Sequence, residues 1–170
     1  HHPSQPFQLD NDRYEMVSLG EEIVAPFCRP DAQGEPCFAL PGSPAQPLPY
    51  LGYAPGAYLG QVVDTMLQHA ASPIHLERVY ETDMAEGLKA MAMEGHGLAF
   101  LPHSAVRQAV RAGALVSALR PGAPVLQTTM EVRAYRERPG LRSAGRGAAK
   151  IRAEALWQHL LAPKLLAPAA

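Results

Sequence analysis

Histidine, cysteine and methionine side chains are the residues of this chain that could do metal or redox chemistry. The 170 residues include seven histidines and two cysteines. Cys28 and Cys37 are separated by proline-containing sequence and form no C-x-x-C pair, so neither a redox pair nor a disulfide framework is indicated. The histidines fall in different expected elements, without the short spacing of zinc ligands. We therefore expect no metal, no cofactor and two idle thiols.

The sequence also lacks the motifs of common enzymes. It contains no G-x-S-x-G, no phosphate-binding P-loop and no H-E-x-x-H. No nucleophile stands at a recognisable spacing from a base. We expect the chain not to be an enzyme, and an enzyme built on a related fold is kept as an alternative.

Polar side chains occur where strands are expected to end and helices to begin. The segment 49–53 is typical of a strand and ends at Tyr53, with Pro55 in the following turn; the alternating segment 74–80 leads to Thr82 and Asp83. Short turns between strand and helix favour parallel pairing, which gathers strand ends and free helix amides at one edge. These four residues are therefore candidate ligand-binding residues, with helix capping (Thr82, Asp83) and core packing (Tyr53) as the structural alternatives.

A helix, a glycine turn and a buried strand are expected after Thr82. Asp83 and Glu86 suit a capping box, and Met84, Leu88 and Met91 form one apolar stripe. A glycine at 95 would end the helix before a strand at 98–101, and Ser104 would cap the next helix, through residue 111, before a strand starting at 115.

The remaining segments complete an alternation of strands and helices. We expect strands at 14–19 and 22–28 separated by a turn at Gly20, a proline-rich connector at 30–49, a helix at 58–69 and a strand at 128–135. A helix at 148–161 is expected to pack through these side chains: Ile151, Ala155, Trp157 and Leu160.

The run EGLKAMAMEGHGLAFLPHSAVRQAVRAGALV, residues 86–116, resembles the effector-binding domain of LysR-type transcriptional regulators. In that family a helix ends in G-x-G before an apolar strand and Leu-Pro, and the next helix ends before Gly-x-Leu-Val. The resemblance implies a type 2 periplasmic-binding-protein-like α/β fold of two lobes, the first incomplete at its N-terminus. It places residues 1–30 at the end of lobe I, 31–127 in lobe II, 128–162 back in lobe I, and 163–170 in a tail.

The resemblance also implies a function. The chain would sense a small molecule or oxidant and act through a homodimer or homotetramer on an absent winged helix-turn-helix, which alone would bind DNA. The formal net charge of −1 agrees with weak DNA binding by this part. No apolar run approaches the 18 or so residues of a membrane span and no signal peptide opens the chain, so we expect a cytoplasmic protein that does not bind membranes.

The resemblance assigns roles to individual residues as well. It gives Thr82 the family's polar contact to effector. His103 and His2 could meet across the cleft, with a surface role as the alternative for each, and His1-His2 has an alternative origin as a tag remnant. The segments YEMVSLGEE and PLPYLGYAPGAYLG are most similar to the hypochlorite-responsive regulators, which are thought to use methionine oxidation. The candidate sensors are Met66, Met91 and Met93, with core packing as the alternative. A solute-binding protein and a lyase similar to prephenate dehydratase are the rival functions.

Overall fold

Strands and helices alternate along most of the chain. The computed structural model describes residues 1–3, 9–120, 122, 125–138 and 148–161. Within these ranges the elements follow in this order: β1 (Tyr14–Cys28), β2 (Leu48–Tyr53), α1 (Tyr58–Gln68), β3 (Leu76–Thr82), α2 (Ala85–Met93), β4 (Ala99–Pro102), α3 (His103–Arg111), β5 (Val116–Ser117), β6 (Thr128–Glu137) and α4 (Ala148–Leu161). None of the helices described is both long enough and apolar enough to span a bilayer.

The chain divides into two compact units. Unit 1 comprises residues 1–6 and 21–130, and unit 2 comprises residues 7–20 and 131–170. The backbone passes from one unit to the other within β1 and again within β6. The assignment of these units to the expected regulatory lobes stays a prediction.

β1 is one continuous strand, so the expectation of two strands separated by a turn at Gly20 is wrong. Gly20 has a φ of +130°, a value that residues with a Cβ rarely adopt. Glycine therefore lets the chain stay extended here instead of reversing. The second half of β1 pairs antiparallel with β4 and β5, and β6 also pairs with β1.

β2 and β3 form the parallel pair that the sequence predicts. Their register runs from Leu48 beside Leu76 to Tyr53 beside Thr82. Leu98, just before β4, is hydrogen-bonded on the other side of β2: its N–H donates to the Pro49 carbonyl at 3.0 Å, and its carbonyl accepts from Leu51 at 2.9 Å. Unit 1 is thereby connected by backbone hydrogen bonds through β3, β2 and the start of β4.

Apolar side chains fill the interior of unit 1. Leu88 of α2 and Phe100 of β4 have no exposed surface, and the Tyr50 ring meets the Phe100 ring edge-on at 6.1 Å. Gly97 permits the close approach of chain segments here, because a Cβ on it would lie 2.6 Å from the Pro49 carbonyl oxygen. Gly95 has a φ of +84° and follows the last turn of α2, which confirms the predicted helix end.

In unit 2, Trp157 of α4 is 5% exposed, which confirms that it packs inward. Ala155 is exposed, so its expected core contact is wrong, whereas Leu160 is half-buried. The side chain of Ile151 and most of the loop at 136–147 lie outside the described residues.

Candidate functional site

The ends of β2 and β3 bring two of the predicted ligand-binding residues side by side. Tyr53 and Thr82 are the last residues of these parallel strands and are partners in the register. The strand ends are joined by a hydrogen bond from the Ala54 N–H to the Thr82 carbonyl at 2.9 Å. The sequence-based expectation that these residues share one edge of a sheet is therefore met by the backbone.

Tyr53 carries a buried hydroxyl that needs a partner. The residue is 2% exposed, and its hydroxyl makes no hydrogen bond with any residue in the described part of the chain. Burial, followed by the proximity of Tyr50, raises the pKa of the Tyr53 phenol, so it stays neutral and can donate a hydrogen bond. A buried polar group left unpaired costs about 1–3 kcal/mol, so this hydroxyl is a natural contact for a water or ligand oxygen.

Thr82 lies against the first turn of α2. Its Oγ1 accepts a long hydrogen bond from the Met84 N–H at 3.4 Å, and Gly87 leaves room for it, since a Cβ there would lie 3.3 Å from the Thr82 Cγ2. The expected capping box is wrong. Met84 is the N-cap residue, with no side-chain hydrogen bond, so Asp83 precedes the cap and is exposed. Glu86 instead forms an ion pair with Lys89, one turn further along the helix.

Pro55 lies in the exposed turn between β2 and α1. Gly56 completes that turn with a φ of +86°, and Ala57 caps α1 without a side-chain hydrogen bond. Gly60 of α1 packs against Tyr53, where an added Cβ would lie 3.0 Å from the tyrosine Cβ. Two helices without side-chain caps therefore begin just after two adjacent strand ends, which places the N-terminal backbone amides of α1 and α2, the positive ends of the helix dipoles, near Tyr53 and Thr82.

Arg78 forms a polar cluster that sequence reasoning missed. Its guanidinium donates to the Tyr53 carbonyl at 3.1 Å and to Glu81 at 3.0 Å, and it lies 5.5 Å from the centroid of the Tyr50 ring. Asp64 is 3.8 Å away. Burial raises the pKa of Tyr50 to about 12. Sequence reasoning did not find this cluster because, apart from Glu81 on the same strand, the partners of Arg78 come from two other segments, β2 and α1.

The Arg78 cluster borders an open cavity of about 500 Å³. Tyr50, Asp64 and Arg78 form its polar part, and Leu67 and Ile74 are among its apolar lining residues. Neither Tyr53 nor Thr82 lines this cavity. Of the two predicted residues, Tyr53 contacts the Arg78 cluster, through its backbone carbonyl.

The two predicted histidines have different neighbours. His2 Nε2 lies 2.7 Å from the Thr128 hydroxyl, and burial lowers the pKa of this imidazole. His103 begins α3, is exposed, and contacts the Phe27 ring edge-on at 5.5 Å. A ligand shared by His2 and His103 stays a prediction.

The methionine candidates differ in accessibility. Met66 and Met91 are half-buried and pack against the core of unit 1, whereas Met93 is 37% exposed. Met84, which the helical stripe predicts to face the core, is 62% exposed, so that prediction is wrong. The late start of α2 explains the error, because Met84 lies at the cap rather than in the helix. Exposed thioethers are the ones that an oxidant reaches first.

The thiols and metal-binding residue types form no site within the described ranges. Cys28 is buried, its pKa is raised by burial, and Cys37 is exposed; both are free thiols. No group of three or more histidine, cysteine, aspartate or glutamate side chains in those ranges is arranged to hold a metal ion.

Comparison with protein families identifies this arrangement. The family model described as the LysR substrate binding domain matches residues 4–162. The chain belongs to the LysR substrate-binding domain family. Its fold is the type 2 periplasmic-binding-protein-like α/β fold of that family, as the glycine and Leu-Pro motifs predicted.

Relatives of this LysR domain are longer proteins. The chain is 34% identical over 105 residues to the HTH-type transcriptional regulator YjiE of Escherichia coli K12, covering 61% of this chain and 33% of the relative. It is 33% identical over 105 residues to the HTH domain-truncated transcriptional regulator QseD of Escherichia coli O157:H7, covering 61% of this chain and 41% of the relative. The aligned part thus spans less than half the length of either relative.

A solved structure is similar over nearly the whole LysR domain. Full-length HypT from Salmonella typhimurium, a hypochlorite-specific LysR-type transcriptional regulator, superposes with a TM-score of 0.69 at 28% identity. The superposition covers 89% of this chain and 48% of HypT.

Proposed function

We propose that the chain is the regulatory domain of a LysR-type transcription factor and that it senses a small effector at the ends of β2 and β3. The observation that carries this proposal is the buried Tyr53 hydroxyl, on the residue beside Thr82, which has no hydrogen-bond partner among the residues that the structure describes. Family membership supports the assignment to regulators. The effector would be a small molecule presenting an acceptor oxygen or an anionic group, contacted by Tyr53, the Thr82 hydroxyl and the amides that open α1 and α2.

Asp83 and Pro55 would border this ligand without determining its charge. Asp83 is exposed and disfavours an anion placed close to it, so the anionic group is expected nearer the amides of α1, which has no acidic residue in its first turn. His2 and His103 remain additional proposed contacts.

A thermal-shift panel of small organic acids and amino acids tests the site. A compound that raises the melting temperature of the chain should bind roughly tenfold or more weakly to Tyr53→Phe and Thr82→Val. Tyr50→Phe is the matched control, because Tyr50 is equally buried in the same strand but borders the Arg78 cavity. Unchanged affinity in Tyr53→Phe and Thr82→Val would rule out this site.

Signal output would pass through oligomers of a cytoplasmic protein. We propose a homodimer or homotetramer that positions a winged helix-turn-helix, through which alone the protein binds DNA; the helix-turn-helix is supported by the similarity to YjiE, which is an HTH-type transcriptional regulator. The isolated chain should then give no promoter mobility shift at moderate salt. A tight, salt-sensitive shift would contradict the proposal.

Oxidant sensing is a second candidate input, favoured by the similarity to hypochlorite-specific HypT. Sulfoxide formation would place a polar group on a previously apolar side chain and so could change the packing of unit 1. Mass spectrometry after graded hypochlorite should find Met93 oxidised before Met66 and Met91, in the order of their exposure. Oxidation without any change in oligomeric state would argue against a signalling role.

Two rival functions have direct tests. A solute-binding protein would be encoded with a signal peptide, whereas a helix-turn-helix encoded upstream would identify a regulator. An enzyme on this fold would show turnover in a substrate screen with the purified chain.

A further inference from the structure

α3 carries a row of basic side chains along one face. His103, Arg107 and Arg111 follow one another at intervals of four residues, so they lie one above the other on the helix. All three residues are exposed. The helix is otherwise amphipathic, with Val106 on its buried side.

The two arginines of this row have no electrostatic partner among the described residues. Arg107 and Arg111 take part in no hydrogen bond or ion pair there. This contrasts with Arg13, Arg78 and Arg136, each of which is paired with at least one carboxylate. Arg111 lies in the last turn and complements the helix dipole, but Arg107 in mid-helix has no such role.

A cavity of about 510 Å³ lies alongside this row. Its apolar surface includes the Phe27 ring, Val106 and Val110, and the three basic residues of α3 lie among its lining residues. Val110 is 41% exposed, so part of this apolar surface faces water. No acidic side chain lines the cavity.

An acidic side chain lies at the N-terminal end of α3. Glu22 Oε1 accepts a hydrogen bond from the Ser104 N–H at 3.2 Å, at the N-terminal end of α3. That carboxylate occupies the first-turn amide position and disfavours a second anion there. The uncompensated positive charge is therefore concentrated toward Arg107 and Arg111.

We propose that this groove is a second ligand site, which takes an amphipathic organic anion. The ligand would place a hydrocarbon body over Phe27 and Val106 and its carboxylate, sulfonate or phosphate group between Arg107 and Arg111. The volume lies within the 300–1,000 Å³ of small-molecule sites, and arginine pairs readily with planar oxyanions. Tyr53 and Thr82 do not line this groove, so it is distinct from the proposed effector site.

Two fluorescent probes that share one aromatic body test the proposal. 8-Anilino-1-naphthalenesulfonate carries the anionic group, and N-phenyl-1-naphthylamine lacks it. In the purified chain, the double variant Arg107→Gln/Arg111→Gln should weaken binding of the sulfonate roughly tenfold and change binding of the neutral amine less than about twofold. Arg152→Gln, which removes an exposed arginine from α4, is the matched control and should leave both affinities unchanged.

A variant that fills the groove separates this site from others. Gln127 is exposed and lines the cavity, so Gln127→Trp should lower binding of both probes without disturbing the buried core. The site is ruled out if the wild-type chain shows no saturable sulfonate binding, or if the double arginine variant binds it as tightly as wild type. It is also ruled out if Tyr53→Phe, but not the arginine variant, abolishes binding. Far-UV circular dichroism of each variant confirms that the fold is retained.

Discussion

Unit 1 is held together by buried hydrocarbon, whereas the described part of unit 2 is held largely by charged side chains. In unit 1, residues such as Leu88 and Phe100 have no exposed surface. Among the described residues of unit 2, Trp157 is the only buried one. The units should therefore respond to different perturbations, because apolar burial is insensitive to charge while exposed ion pairs are screened by salt.

Arg136 is the centre of the unit 2 network. Its guanidinium contacts Glu15 at 2.7 Å and Glu154 at 2.5 Å, and it lies 4.8 Å from the centroid of the Trp157 ring. A further ion pair joins Arg13 to Glu137 at 3.1 Å. Because Trp157 is the only tryptophan of the chain, its fluorescence reports on unit 2 alone. The unfolding of unit 2 can thus be followed separately from that of the whole chain in a single sample.

The largest expected effect concerns the apolar core of unit 1. Phe100→Ala should lower the free energy of unfolding by about 3–5 kcal/mol, because it leaves a cavity where no side-chain surface was exposed. Met16→Ala in unit 2, where Met16 is 44% exposed, should cost less than about 0.5 kcal/mol. Urea unfolding followed by far-UV circular dichroism measures both. Equal losses in the free energy of unfolding would contradict the proposed difference between the units.

The second-largest expected effect is a loss of unit 1 stability at alkaline pH. The folded pKa of Tyr50 is raised from 10 to about 12, so the stabilisation is fully present below pH 10 and is lost as the pH rises to about 12. The loss should be about 2 kcal/mol. Urea midpoints at pH 9 and 11, with phenolate absorbance at 295 nm, give the measurement. Tyr50→Phe should reduce the dependence but not abolish it, because burial also raises the pKa of Tyr53; phenols that all ionise near pH 10 would contradict the prediction.

Removing the network centre should affect unit 2 more modestly. Arg136→Gln should shift Trp157 emission to longer wavelength and lower the fluorescence-detected urea midpoint, because the tryptophan loses its cationic neighbour and two carboxylates lose theirs. The difference from wild type should shrink in 1 M salt. Arg152→Gln on the same helix is the control. A salt-independent difference would show that packing, and not charge, holds unit 2.

Acid should produce the smallest change, and in unit 2. The Gln158 amide, followed by Arg136, holds the pKa of Glu154 below 4.5, and Arg133 acts likewise on Glu131. Depressed carboxylate pKa values contribute stability above pH 4.5 that is lost as the pH falls through the folded values. Trp157 fluorescence midpoints at pH 6 and 3.5 should differ, and Glu154→Gln should reduce the difference. An unchanged midpoint would show that these carboxylates do not contribute to the stability of unit 2.

Local sequence predicted the elements of unit 1 well. α1, α2 and the parallel strands were predicted to within about two residues, because hydrophobic periodicity and glycine positions determine them locally. The adjacency of Tyr53 and Thr82 followed from the same local pattern combined with the rule for parallel strand ends. The errors at Gly20 and Asp83 share one cause. Glycine is common in turns and aspartate at helix caps, but both residue types also fit other backbone conformations, and contacts with distant segments decide which one is adopted.

Non-local chemistry could not be predicted from the sequence. The Tyr53 hydroxyl lacks a partner among the described residues because of how distant segments pack around it, and Arg78 meets Tyr50 and Asp64 only after the chain folds. The arginine spacing of α3 was visible, but the Phe27 ring that makes a groove beside it comes from residues far earlier in the chain.

The passage of β1 from one unit to the other has a consequence for how the domain can be divided. Separating the units at Gly20 and Met130 would cut the chain inside two hydrogen-bonded strands, β1 and β6, and not in linkers. Each fragment would expose unpaired strand edges, which promote aggregation. We therefore expect the two units to fold together and not as separately expressed fragments.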